Sequence, residues 1–104
     1  MQKVLIDIFI VPDASRQPFL ERAREVQGFL KTLPGFVEGF LYEKTEGDGR
    51  HNYLTTAVWE SEQALESAKQ SAAAEFKRRG FDPQQARTEW KIESQRAIFE
   101  RSPY

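Results

Sequence analysis

The chain has 104 residues with a formal net charge of -1, 39% hydrophobic and 30% charged, which suits one domain spanning 1–104 without repeats or linker. Its mixed charge offers no basic stripe for a nucleic acid, and the absence of cysteine excludes disulfides and thiolate chemistry. No apolar run has the length of a membrane span and Asp7 interrupts the one candidate leader, VLIDIFIV, so the expected setting is cytoplasmic with no membrane partner.

Val4 to Val11 is apolar on both faces except at Asp7, the pattern of a central strand, and Pro12-Asp13 ends it. A helix is predicted from about Arg16, with Ser15 as its cap and Pro18 tolerated in the first turn. Phe19, Ala23, Val26, Leu30 and Leu33 form its apolar stripe, and Pro34-Gly35 stops it. Phe36 to Lys44 reads as a second strand and Glu46 to Gly49 as a turn. The third strand, from His51 or Asn52 to Trp59, closes a hairpin with the second.

Ser61 has the character of an N-cap for a second helix, Glu62 to Arg79, whose Lys77-Arg78-Arg79 end complements the helix dipole and whose stop is Gly80. Its inward face, Leu65, Ala68, Ala72 and Phe76, is mostly small and leaves space over the sheet. Asp82-Pro83 opens a short extra helix through Trp90, and the last strand falls within Ile92 to Arg101. The order strand, helix, strand, strand, helix, strand predicts an α+β fold of ferredoxin-like, split βαβ type. It has a four-stranded antiparallel sheet with both long helices on one face. The other face then lacks cover, and a homodimer is the expected remedy.

Leu33-Pro34-Gly35-Phe36 at the end of the first helix, with Val58-Trp59-Glu60-Ser61 followed by Gln63-Ala64-Leu65, resembles the antibiotic biosynthesis monooxygenase (ABM) superfamily. The resemblance covers roughly Val4 to Phe76 and implies a dimeric α/β barrel. It also implies one of several activities, among them cofactor-independent oxidation of phenols and quinols, and haem degradation. Haem-degrading members carry a first-strand Asn, the strand-end Trp and a ligating His on the second helix. Here Trp59 matches the Trp and Asp7 stands about where the Asn would be, but the second helix has no histidine. The aromatic-polyketide oxygenases place an Asn four residues before the Trp, where this chain has Thr55.

Asp7 and Trp59 are the candidate catalytic residues. A carboxylate among Val4, Leu5, Ile6, Ile8 and Phe9 needs either a function, as a general base, or a partner such as Arg96. Trp59 either donates its indole N–H to a substrate oxygen or caps the core. Tyr53, Thr55, Tyr42, Phe76 and Arg96 are the candidate substrate-binding residues, although strand tyrosines also serve packing alone. His51, the one histidine, is attractive as a proton carrier by residue type but sits in a turn.

No metal-ligand cluster, phosphate loop or nucleophile–His–Asp set is legible. Together with that absence, the resemblance implies a cofactor-independent monooxygenase, with no metal, that oxidises a small aromatic phenol, quinol or anthrone-like ring to a quinone. The alternative is a non-enzymatic homodimer that binds or senses a small hydrophobic molecule in the same cavity.

Overall fold

β1 (Lys3–Ile10) lies inside a four-stranded sheet, antiparallel to β3 (Tyr53–Trp59) on one side and to β4 (Glu93–Phe99) on the other. β2 (Phe36–Glu43) pairs with β3 and completes the order β2-β3-β1-β4, all antiparallel. The computed structural model that shows this arrangement describes residues 1–104. It is the α+β, ferredoxin-like architecture that the element order implies.

Alternation along β1 puts Leu5, Asp7 and Phe9 on one face. They sit opposite Ala57, Thr55 and Tyr53 of β3 and opposite Ile98, Arg96 and Ser94 of β4. This is the face covered by α1 (Arg16–Leu30) and α2 (Glu62–Arg78), and it does not pack as one core. One cluster gathers Leu5, Ala57, Trp59, Leu65 and Ala68, flanked by Leu30, Leu33 and Phe36. A second gathers Val11, Phe19, Tyr53 and Ile92, flanked by Phe9, Leu41 and Trp90. The row containing Thr55, Asp7 and Arg96 runs between them.

Capping explains where most helices begin. The Ser61 hydroxyl accepts the Ala64 N–H at 3.1 Å and starts α2 directly after β3. Asp82 accepts from the Gln84 and Gln85 amides at 3.0 and 3.3 Å and starts the short helix α3 (Pro83–Trp90). Ser15 differs from expectation. Its side chain caps nothing, because the hydroxyl turns instead to donate to the Trp90 carbonyl at 2.7 Å and ties α3 to the start of α1. Leu33 also falls beyond α1, which ends at Leu30, yet it still packs beside Trp59 from the following turn.

The opposite sheet face carries Val4, Ile6, Ile8 and Ile10 of β1 with Leu54 and Val58 of β3. Phe40 and Tyr42 of β2 and Phe99 of β4 extend this face and are exposed. No helix is long and apolar enough to cross a membrane.

Gly35 turns the chain from α1 into β2 at a φ of +82°, and a methyl group there would meet the Ala64 Cβ of α2 at 2.5 Å. Gly80 has a similar φ of +70° with nothing within 4 Å of the added carbon. Gly80→Ala is expected to lose about 1 kcal/mol, the left-handed backbone cost alone. Gly35→Ala is expected to lose about 2 kcal/mol or more, because two rigid Cβ atoms also collide. Urea unfolding of both variants measures the difference, and equal losses would show that the α2 contact is unimportant.

Candidate functional site

The gap between the two core clusters is a cavity of about 600 Å³, the size of ordinary small-molecule sites. Its floor is the sheet, its walls are α1 and α2, and α3 closes one end. α2 leaves the space open because Ala68, Ala72 and Ala73 line it where larger side chains would fill it. On the β4 side the cavity is open, since every residue of that edge strand is exposed.

Asp7 sits on the floor, 16% exposed, held by Arg96 from the neighbouring strand. The Arg96 Nε donates to Oδ1 at 2.8 Å and Nη2 to Oδ2 at 3.1 Å, a two-pronged pair that strand register makes possible. The hydrogen bond to Asp7 is the main cause of a raised Arg96 pKa, so the guanidinium stays charged. Arg96 is itself 58% exposed and faces the open side of the cavity. Asp7 is thus paired, and its partner is a solvated arginine at the rim.

Trp59 stands at the other end, 1% exposed, its ring edge-to-face with Phe36 at 5.4 Å. Its indole N–H has no hydrogen-bond partner. A buried donor left unpaired costs roughly 1–3 kcal/mol. The Gln27 Oε1 of α1 is likewise buried and unpartnered, while its Nε2 donates to the Thr56 carbonyl at 3.4 Å. That bond fixes the amide orientation, and the amide lies over Gly39, where a methyl group would come within 2.9 Å of Oε1. Trp59 and Thr55 are four residues apart on β3, about 13 Å of strand, so the indole and the Asp7–Arg96 pair lie at different ends of the cavity.

Thr55 and Phe76 also line the cavity. Phe76 meets Phe81 edge-to-face at 5.5 Å, and the Arg22 guanidinium lies 3.6 Å above the Phe81 ring, which makes a stacked wall. Tyr53 shares the sheet face but lies beyond the cavity, packed on Phe19, with its hydroxyl donating to Glu43 Oε1 at 2.8 Å. Burial, and then that hydrogen bond, raise its pKa and keep it a neutral phenol. Tyr42 points from the opposite face, 52% exposed, because it alternates with Leu41. His51 stays in the turn beside Gly49 and does not reach the cavity.

The sequence pattern did not single out Gln27, Arg22 or Arg87, all of which line the cavity. Each lies among polar surface positions of a helix, and only tertiary packing brings it to the site. No group of three or more His, Cys, Asp or Glu is placed to hold a metal ion.

The family model for antibiotic biosynthesis monooxygenases matches residues 1–78, three quarters of the chain. The chain belongs to this ABM family. No curated protein matches it by sequence. Among solved structures it is similar to SnoaB, a cofactor-independent oxygenase from Streptomyces nogalater. SnoaB is 20% identical with a TM-score of 0.67 over 99% of this chain and 95% of that one. A variant of MhuD with two manganese protoporphyrin IX molecules bound per active site is also 20% identical, with a TM-score of 0.71 over 94% and 92%. A conserved protein from Methanosarcina mazei is 13% identical with a TM-score of 0.72 over 98% and 95%. At such identities the likeness establishes a shared fold. A haem does not suit the cavity of this ABM chain, which is lined by no histidine, cysteine, methionine or tyrosine able to bind iron.

The wall formed by Phe76 depends on the end of α2, where Glu75 accepts from Arg78 Nε at 2.7 Å and from Arg79 Nε at 2.9 Å. The Arg78 hydrogen bond leads in lowering the Glu75 pKa from 4.5 to about 2. A carboxyl lowered on folding stabilises the protein fully above its unfolded pKa, and that contribution disappears as pH falls through the folded value. Glu75→Gln is therefore expected to be less stable than the parent near neutrality. The gap should close as pH drops from 4.5 to about 2, as read from urea midpoints at each pH.

Proposed function

We propose that this ABM-family protein is a cofactor-independent monooxygenase that oxidises a small phenol, quinol or anthrone-like ring to a quinone. The observation that carries the reading is a cavity with an apolar body, bounded at one end by Trp59, whose buried indole N–H has no partner, and holding a carboxylate–guanidinium pair at the other. Asp7 is the proposed proton acceptor for the ring hydroxyl or activated C–H. To accept that proton one of its oxygens must leave Arg96, which then faces the new anion. Trp59 donates to the oxygen on which charge collects at the far end of the ring. Thr55 and Phe76 hold the ring on the floor and against the wall.

The deprotonated ring is electron-rich enough to reduce oxygen directly. One electron passes to O2, the two radicals combine at a ring carbon, and the hydroperoxide loses water to leave a new carbonyl. One oxygen atom stays in the quinone and the other leaves as water, so substrate plus O2 gives quinone plus H2O. An oxygen electrode, with metal-stripped protein and a panel of quinols and anthrones, should record one O2 consumed per ring oxidised.

Asp7→Asn is expected to lower turnover on the order of a hundredfold or more. Stability should fall by about 1 kcal/mol or less, because the released Arg96 is already largely in water. Trp59→Phe keeps an aromatic ring and loses the N–H, about 1–3 kcal/mol of transition-state stabilisation. The ligand-binding alternative is favoured by one feature, the engagement of both Asp7 oxygens by Arg96. Its signature is stabilisation by aromatic ligands with no oxygen uptake, and that result would sink the enzymatic proposal.

The open sheet face, with Phe40, Tyr42 and Phe99 exposed, is proposed to be covered by a second copy of the chain. Sedimentation at micromolar concentration should give a dimer, and Phe40→Glu should shift it to monomer.

A further inference from the structure

Five charged side chains line the cavity, and four are cations: Arg22, Lys69, Arg87 and Arg96 against Asp7 alone. This imbalance stands out in a chain whose net charge is -1. Three of the cations are matched by carboxylates. Arg22 contacts Glu25 at 3.2 Å, Lys69 contacts Glu66 at 3.2 Å, and Arg96 holds Asp7.

Arg87 has no carboxylate within ion-pair distance. The acids nearest to it in the chain are engaged elsewhere. Asp82 caps α3, Glu89 accepts from Gln85 Nε2 at 3.2 Å, and Glu93 pairs with Arg50 at 3.0 Å. Arg87 nevertheless sits on a secured element, since α3 is capped at its start by Asp82 and tied near its end by Ser15. The Ile92 N–H donates to the Arg87 carbonyl at 2.9 Å, which leads α3 directly into β4 and so toward Arg96. Arg96 also keeps its Nη1 free of Asp7. Two exposed guanidinium groups with unused donors therefore line one mostly apolar cavity, an arrangement suited to a planar anion.

We infer that the ligand is an aromatic acid, with its ring in the cavity and its carboxylate at the mouth against Arg87 and Arg96. The inference rests on the proposed monooxygenase reading for the location of the site. It adds the charge of the substrate and names Arg87 as the residue that selects it. Because Arg87 lies at the rim and Asp7 and Trp59 lie within, its contribution falls on substrate affinity and not on the chemical step.

Binding of two fluorescent probes with the same aromatic body, anilinonaphthalene sulfonate and its uncharged parent phenylnaphthylamine, tests this without turnover and in the absence of oxygen. The parent protein should bind the sulfonate more tightly at low salt, and the preference should shrink as salt is added. Arg87→Gln, an exposed change that leaves the fold alone, should weaken the sulfonate about tenfold and leave the neutral probe within about twofold. Ala72→Trp, which fills the cavity, should abolish binding of both. Equal affinity for the two probes, or an Arg87→Gln effect that is the same on both, would overturn the inference while leaving the monooxygenase reading intact. Retention of both probes by Ala72→Trp, or failure of the parent protein to bind either, would overturn the cavity assignment on which both readings stand.

Discussion

A carboxylate in the middle of a central strand cannot be packed against hydrocarbon, and the structure is arranged around that constraint. Asp7 requires a cation, and the antiparallel register of β4 delivers Arg96 directly beside it. Once that pair occupies the floor, the helices cannot close over it with large apolar side chains without taking two charges out of water. The core accordingly splits into a cluster around Trp59 and another around Phe19 and Tyr53, and the space between them persists as the cavity. Alanine at positions 68, 72 and 73 of α2 completes the arrangement by withholding the bulk that would collapse it. An ion pair that does little for stability thus has a large effect on shape.

Much of this was legible in the chain because local rules and tertiary structure agree. The apolar first strand, the Ser61 cap, the stop at Gly80 and the Asp82-Pro83 start all follow from propensity and turn chemistry, whereas α1 ends at Leu30, short of the Pro34-Gly35 stop. The oddity of Asp7 in its strand pointed to Arg96 as a partner, since an isolated charge there has few physical solutions. What was not legible depends on distance in space. Ser15 looks like a cap from its position, but a longer-range acceptor, the Trp90 carbonyl, claims its hydroxyl. Tyr53 and Thr55 share a face by alternation. Only the packing of Phe19 over one end of the sheet shows that Tyr53 lies under a lid of core while Thr55 lies in the open. Arg87 and Gln27 carry no local signature at all.

The two ends of the cavity differ in how they meet water. At the rim, Arg96 and Arg87 are solvated, so their fields are screened and their individual contributions to stability are small. Such groups act on the approach and alignment of a charged molecule more than on the fold. At the inner end, Trp59 and Gln27 are shut away from water, and a hydrogen bond formed there is far stronger than one at the surface. On the proposed reading, a ligand that spans the cavity is guided by charge at one end and meets desolvated hydrogen-bonding groups at the other.

That asymmetry bears on the unpaired indole. Leaving the Trp59 N–H and the Gln27 Oε1 unsatisfied in the free protein costs roughly 1–3 kcal/mol each, a sacrifice a 104-residue domain with a divided core has little margin for. Substituting phenylalanine at position 59 would relieve one of them while keeping the edge-to-face contact with Phe36. The tryptophan is intelligible if the donor is satisfied when a ligand is present, so that the penalty carried by the empty site is recovered on binding. An acceptor that gains negative charge during reaction recovers more than a neutral one, because the hydrogen bond strengthens as charge develops. On the proposed reading, a donor held rigid, dry and unpaired thus favours the deprotonated form of a bound ring over its neutral form, which is the bias that direct reaction with oxygen requires.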